Sequence, residues 1–287
     1  NVRSKSMKSS VQEQACRGEN AGMGRLTPAG LLLAFVAMLA ACGNGSTAPT
    51  QPPGGPGTTN PPAAVAHLLV VTHTAGFRHD SIPAAESALR EIGSESGLFD
   101  VAFCRTAAEV RDRLTPAGLT GIDAVFFANT TGDLGIPDVQ AFVDWVGSGK
   151  AFLGTHSASD TYHESPAFLA ILGGEFVTHG SIVDVEIRVP EPANPAVSHM
   201  APTFRMADEW YRFNLTGPGR TVLLKFDRIP ADGVGQAGTA ADLPLAWQKM
   251  HGSGRVFYTA LGHRSEIWDD ARFRQHLREA IRWTVGR

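Results

Sequence analysis

Cysteine is scarce in this chain: 287 residues carry three, and only Cys104 lies beyond residue 62. One cysteine closes no disulfide and builds no thiolate zinc cage. Cys104, at the end of an apolar run, reads as a small buried apolar residue. An excess of one charge is also missing. Lys+Arg number 25 and Asp+Glu 28, for a net charge of -3, so no basic field exists to draw nucleic acid. No apolar run is long enough for a stable membrane span, no internal repeat is visible, and no His-Glu-x-x-His spacing marks a zinc-hydrolase helix. The last absence is chemical. In "FLGTHSAS" an apolar strand runs into a turn where hydrolases of similar outline place a nucleophilic Ser or Cys, and here the central residue is His156. Imidazole acts as base, proton shuttle or metal ligand, and is an unusual covalent nucleophile.

What is present divides near residue 62. Residues 1–22 carry no periodic pattern and read as a segment upstream of a start at Met23. "MGRLTPAGLLLAFVAMLAAC", Met23 to Cys42, has one positive charge, a short apolar core and small residues before a Cys, the layout of a secretory leader. Leu39-Ala40-Ala41-Cys42 resembles the lipobox of bacterial lipoproteins. That resemblance implies a signal over 23–41, lipidation of Cys42 and residence at the cell envelope. An ordinary secretory signal and an uncleaved anchor are the alternatives. Residues 42–62 are dominated by Gly, Pro, Ser and Thr, which cannot bury enough apolar surface to order themselves, and are expected to form a tether.

From residue 63 to 287 continuous apolar runs alternate with helical patterns, as in strands buried on both faces by crossover helices. "HLLVVTH", "FDVAFC", "IDAVFFAN" and "KAFLGTH" predict parallel strands, with helices over "SIPAAESALREIGSESG", "AAEVRDRL" and "IPDVQAFVDWVGSG" between them. Further on, "VDVEIRV" and "TVLLKFD" predict strands, and "PLAWQKM" joined to "RVFYTALGH" through "HGSG" predicts a hairpin. A last helix carries the apolar stripe Phe273, Leu277, Ala280, Ile281. The expected fold is α/β: a three-layer sandwich on a mostly parallel sheet with an antiparallel hairpin extension.

Ligands of open parallel sheets bind beyond the carboxyl ends of the strands. The strand ends therefore nominate a rim: His73, with Arg78, His79 and Asp80 just after it; Asn129, Thr130 and Thr131; His156, Ser157, Ser159 and Asp160; His263 and Arg264. Any single histidine here could merely brace a loop, and Asp160 could be a helix N-cap, a role for which Glu164, Ser165 and Pro166 compete. Gly154, two residues before His156, suits a tight strand-to-helix turn that projects its central side chain at the sheet edge.

Four segments, "THTAGFRHDSI", "FLGTHSASDTYHESPAFLAILGGEFVTH", "DEWYRF" and "GRVFYTALGHRSEIWDDARFRQHLREAIRW", together resemble the ThuA-like (trehalose utilisation) family. The resemblance implies a flavodoxin-like, class I glutamine amidotransferase-like fold with the amidotransferase nucleophile replaced by His156. It also implies a role in using trehalose or related disaccharides through 3-keto sugars made by partner dehydrogenases. Matching positions are His73, Arg78, His79, His156, Asp160, His179, Asp208, Glu209, Tyr211 and His263, while Trp210 stands where a smaller aliphatic residue is expected and would reshape the pocket. The first functional reading is acid/base chemistry on a sugar. His156 is the base, Asp160 or Glu209 orients it or supplies the acid, and His263 completes the catalytic set. His73, Arg78, His79, Asn129, Tyr162, His179 and Tyr211 are then the substrate-binding candidates. A metal-assisted version places zinc or another divalent metal on His73, His79, His156 and His263 with a carboxylate. A non-catalytic sugar-binding lipoprotein of the envelope is the second reading, with Phe77, Tyr162, Trp210 and Tyr211 stacking on sugar faces, and a docking domain is the third.

Overall fold

The computed structural model describes residues 64–227 and 243–287. The expected leader, Cys42 and the tether lie outside the described residues. Eleven strands and six α-helices are found among the described residues.

Continuous apolar runs become central strands. β1 (Ala66–Val71), β2 (Phe99–Cys104), β3 (Ala124–Ala128), β4 (Ala151–Thr155) and β11 (Gly254–Thr259) pair in parallel in the order β2-β1-β3-β4-β11. All of β3 and β4 is buried, which is why their sequences do not alternate. The sheet then continues antiparallel through β10 (Leu243–His251), β9 (Arg220–Phe226), β6 (Val183–Arg188) and β7 (Thr203–Asp208), making nine strands. The predicted hairpin is β10–β11. The antiparallel part is larger than the sequence suggested, because β7, in "TFRMAD", carries no strong pattern.

Helices cover both faces. α1 (Ile82–Ser96), α5 (Ser265–Asp269) and α6 (Ala271–Thr284) pack on one another, with α6 against β4 and β11. On the other face α3 (Val139–Gly147) and α4 (Pro166–Leu172) pack together and against β11, while α2 (Ala107–Arg113) lies on β2. Phe127, Phe142, Phe152 and Phe168 interlock under the α3–α4 layer with ring centroids 5.1–6.0 Å apart. Ser165 caps α4 with its hydroxyl on the Phe168 amide, so Asp160 is released from that role. Ser81 precedes α1 but makes no side-chain cap; its hydroxyl donates to the Gly262 carbonyl instead. Cys104 is buried. No helix among the described residues is long and apolar enough to cross a membrane.

α6 buries the expected stripe and His276 with it. The His276 Nδ1–H donates to the Ala196 carbonyl at 2.7 Å, while Nε2 is buried and has no hydrogen-bond partner among the described residues. Burial lowers this imidazole to about 4. Between that value and about 6.5 the unfolded chain takes up a proton that the folded chain refuses, so stability is lost as pH falls. The wild type should lose about 2 kcal/mol more than His276→Gln when urea unfolding is compared at pH 7.5 and pH 5. Equal losses in the two proteins would contradict it.

Candidate functional site

The C-terminal ends of β3, β4 and β11 are in register at Ala128, Thr155 and Thr259, so Asn129, His156 and Ala260 leave the sheet side by side. His156 opens a 3-10 turn, His156–Asp160, with a φ of 46°, left-handed backbone that costs a non-glycine residue about 1–2 kcal/mol. Gly154 makes the turn possible: a Cβ there would sit 2.9 Å from the Ala158 Cβ. The His156 carbonyl accepts from the Tyr258 hydroxyl at 2.5 Å and from Ser159 at 3.2 Å, which holds the strained residue in place.

The elbow-like turn is thus present, but its side chain does not stand out into solvent. His156 is wholly buried. Its Nδ1–H donates to the Ala260 carbonyl at 3.1 Å, and its Nε2 faces His263 Nδ1, 3.1 Å away, and Glu209 Oε2, 3.5 Å away. Glu209 Oε2 lies 3.2 Å from His263 Nδ1, and Oε1 lies 2.9 Å from His179 Nδ1. His79 packs edge-on against both His156 and His263, with centroids 4.8 and 5.2 Å away, and its Nδ1 is 3.3 Å from the Ser157 hydroxyl.

Four distant segments are needed to make this contact. The loop after β1 folds across the end of β3, fastened by the Ala75 and Gly76 amides on the Thr131 carbonyl, and so carries His79 towards β4. Asn129 ties that loop to the one after β11: its amide donates to Ser81 and to the Gly262 carbonyl and accepts from Thr155. Asp208, at the end of β7, accepts the backbone N–H groups of Gly262 and Arg264 and thereby fixes His263 between them. The four residues from the last of β7 onward diverge. Asp208 goes under the loop, Glu209 into the site and Trp210 into the core, while Tyr211 lies against the His156 ring at 4.2 Å. Tyr211 also starts β8 (Tyr211–Leu215), which pairs with β5 (Gly174–His179) in a separate two-stranded sheet that sets His179 opposite Tyr211.

Above these groups is a cleft of about 270 Å³. Its floor carries His79, Glu209 and His263; its walls are Phe77, Phe176 and Tyr211; His179 and Asp160 stand at its edge. Electrostatics divides the floor. Burial pushes His79 down to about 3. Burial works to raise Glu209, but hydrogen bonds from His156 and His263 overcome it and hold the carboxyl far below its ordinary range. The Glu209 hydrogen bond raises His263, against burial. Burial raises Asp208.

The other nominated residues fall elsewhere. His73 follows β1 on the β2 side, its amide on the Cys104 carbonyl, and does not join the converging group. Arg78 is exposed and donates to the Thr72 carbonyl. Asn129, nominated for substrate, is fully buried and its amide is committed to the three partners above. Tyr162, at 6% exposure, packs on Phe168 and accepts the Ile136 amide through its hydroxyl, away from the cleft. Asp160 reaches the cleft edge paired to His163 at 2.7 Å. Trp210 does not shape the pocket, because it is fully buried, with its indole N–H on the Val183 carbonyl and its ring on Phe226. The sequence reading missed Phe176, because "GEFVTH" lacks clear alternation and the strand that delivers Phe176 with His179 pairs with β8, remote in sequence.

Residues 67–284 match the family model ThuA, trehalose utilisation. Among solved structures, a ThuA-like protein of Parabacteroides merdae is similar with TM-score 0.65 and 17% identity, over 77% of this chain and 90% of that one. A ThuA-like protein of Bacteroides uniformis gives 0.62 and 20%, over 79% and 94%. A β-galactosidase of Bacillus circulans sp. alkalophilus gives 0.52 and 12%, over 77% of this chain and 31% of the galactosidase. At these identities the likeness is one of fold. Among curated proteins none matches.

Proposed function

Given that the chain belongs to the ThuA family of trehalose utilisation, we propose that it processes a disaccharide of that class, in 3-keto form, by proton transfer next to the ketone. One observation supports this most: in a cleft with aromatic walls the Glu209 carboxylate lies at the floor within reach of His263 and His179, with His79 beside them, while the other carboxylate, Asp160, stands at the edge paired to His163. Its volume lies near the lower end of the roughly 300–1,000 Å³ typical of ligand pockets, which suits one sugar ring held inside and the rest outside.

The roles follow from exposure. Fully buried His156 does not touch substrate, so the sequence-based choice of His156 as the base gives way to His179. His179 is exposed at the cleft, and its Nδ1 faces the Glu209 carboxylate and the Gly180 carbonyl. Glu209 thereby orients the ring and leaves Nε2 free to take a proton. The C–H electron pair moves into the adjacent carbon–carbon bond, the carbonyl oxygen becomes an enolate, and the proton rests on His179 until it is returned to the product. The His263 side of the floor stabilises the oxygen charge. The same reading keeps the chain at the bacterial envelope through lipid on Cys42, supplied with keto-sugar by an envelope dehydrogenase.

The test is turnover of trehalose, related disaccharides and their 3-keto forms by the purified chain. His179→Ala should abolish turnover of a 3-keto sugar while leaving its binding measurable. Phe77, 67% exposed at the cleft wall, is a stacking surface whose removal costs the fold little. Phe77→Ala should raise KM about threefold to tenfold with kcat nearly unchanged, the worth of one aromatic contact. An unchanged KM would remove Phe77 from the sugar site. Capture of sugars without turnover of any keto form would instead support a binding lipoprotein.

A further inference from the structure

We propose that His156, His263 and Glu209, with His79 as fourth ligand, hold a divalent first-row transition-metal ion of the zinc class at the floor of the cleft. The inference deepens the proposed function and rests on it only for the ion's role; the site itself stands on geometry. One ligand atom from each of the four residues lies within 4.8 Å of all the others. The tightest three, His156 Nε2, His263 Nδ1 and Glu209 Oε2, are 3.1, 3.2 and 3.5 Å apart. A tetrahedral ion with bonds of about 2.0–2.1 Å needs ligand atoms about 3.3 Å apart, so the triangle already has the right edge.

The surroundings fit ligation better than a hydrogen-bonded cluster alone. His156 donates Nδ1–H to the Ala260 carbonyl, the outer contact that fixes a ligating imidazole with its other nitrogen bare. The His79 Nδ1 contact with the Ser157 hydroxyl leaves its Nε2 as the free ring nitrogen in the same way. Asp208 has both oxygens on backbone N–H groups of the His263 loop and positions that ligand without entering the site. Strained, fully buried His156 has no access to substrate, yet the fold holds its Nε2 towards two other donors; an ion between them gives that arrangement a purpose. Two imidazoles and one carboxylate with neutral His79 suit zinc, iron(II), cobalt(II) or manganese(II) rather than magnesium or calcium, which prefer all-oxygen shells. His79, Glu209 and His263 line the cleft floor, so the ion would face a bound keto-sugar and polarise its carbonyl oxygen as a Lewis acid.

The experiment is metal loading of the full chain, stripped with a chelator and titrated with Zn²⁺ and separately with Co²⁺. Wild type should bind about one equivalent, with the intense visible bands of low-coordinate cobalt. His156→Ala and His263→Ala should lose that spectrum and weaken binding at least about a hundredfold. His179→Ala and the exposed His67→Ala should keep it. Thermal unfolding without metal shows whether each variant is folded, and Glu209→Gln, which keeps a ligand oxygen, provides a milder loss if the alanine variants fail to fold. Stoichiometry well below one equivalent in wild type, or equal binding by folded His156→Ala and wild type, overturns the site. Keto-sugar turnover by metal-free protein at the wild-type rate overturns the ion's role in the reaction and spares the proposed function; a bound ion with no turnover of any sugar overturns the proposed function and spares the metal site.

Discussion

Glu209→Gln is expected to lower kcat on a 3-keto sugar by about 10²–10⁴-fold, the usual worth of a group that arranges proton transfer. The two carboxylate oxygens have separate duties: Oε1 faces His179 at 2.9 Å and Oε2 faces His263 at 3.2 Å and His156 at 3.5 Å. Glutamine keeps the shape and one acceptor, but it turns the other position into a donor, so one of the two histidine contacts becomes donor against donor. The charge that stabilises an imidazolium on His179 is lost as well. The side chain is 9% exposed and its charge is stabilised by the surrounding histidines, so the variant should also lose some stability, and thermal unfolding checks that it is folded before kcat is compared. Retention of more than a tenth of wild-type kcat by a folded Glu209→Gln protein would show that the carboxylate is not at the centre of the chemistry.

The second large effect concerns stability. Trp210→Ala should destabilise the domain by about 3–5 kcal/mol, as expected for emptying a fully buried aromatic site. For a domain of this size that corresponds to a fall in Tm of roughly 10 °C. The indole joins β6 to the β7–β8 crossing through its N–H on the Val183 carbonyl at 2.8 Å and packs at 82° on Phe226. Trp210→Phe keeps most of the packing and leaves one carbonyl without its donor, a cost of about 1–3 kcal/mol. Because Trp210 sits between Glu209 and Tyr211, the alanine variant should also lose activity, while the phenylalanine variant should keep its KM. A raised KM with unchanged stability in Trp210→Phe would restore the sequence-based view that this residue shapes the pocket.

The fold was legible because its central strands are buried on both faces. "AVFFA" has no polar residue and "AFLGT" only its last, Thr155, which is itself buried, so neither strand has a solvent face. The hairpin β10–β11 was equally plain from its Gly-rich turn. β7 and the β5–β8 pair were not, since their half-buried strands lack clear alternation and are held by partners remote in sequence.

By itself the sequence determined the parallel half of the sheet, the helices around it and the addresses of His79, His156 and His263 just past strand ends, because apolar periodicity is a local property. Only the tertiary structure decided which histidines meet. His73 and His79 are six residues apart, yet the loop across β3 brings His79 to His156, while the His73 amide stays fastened to the end of β2. Glu209 enters the group because β7 ends beneath the His263 loop, where buried Asp208 binds two of its amides. Loop paths and side-chain directions of this kind are set by long-range hydrogen bonds, and no short window of sequence contains both partners.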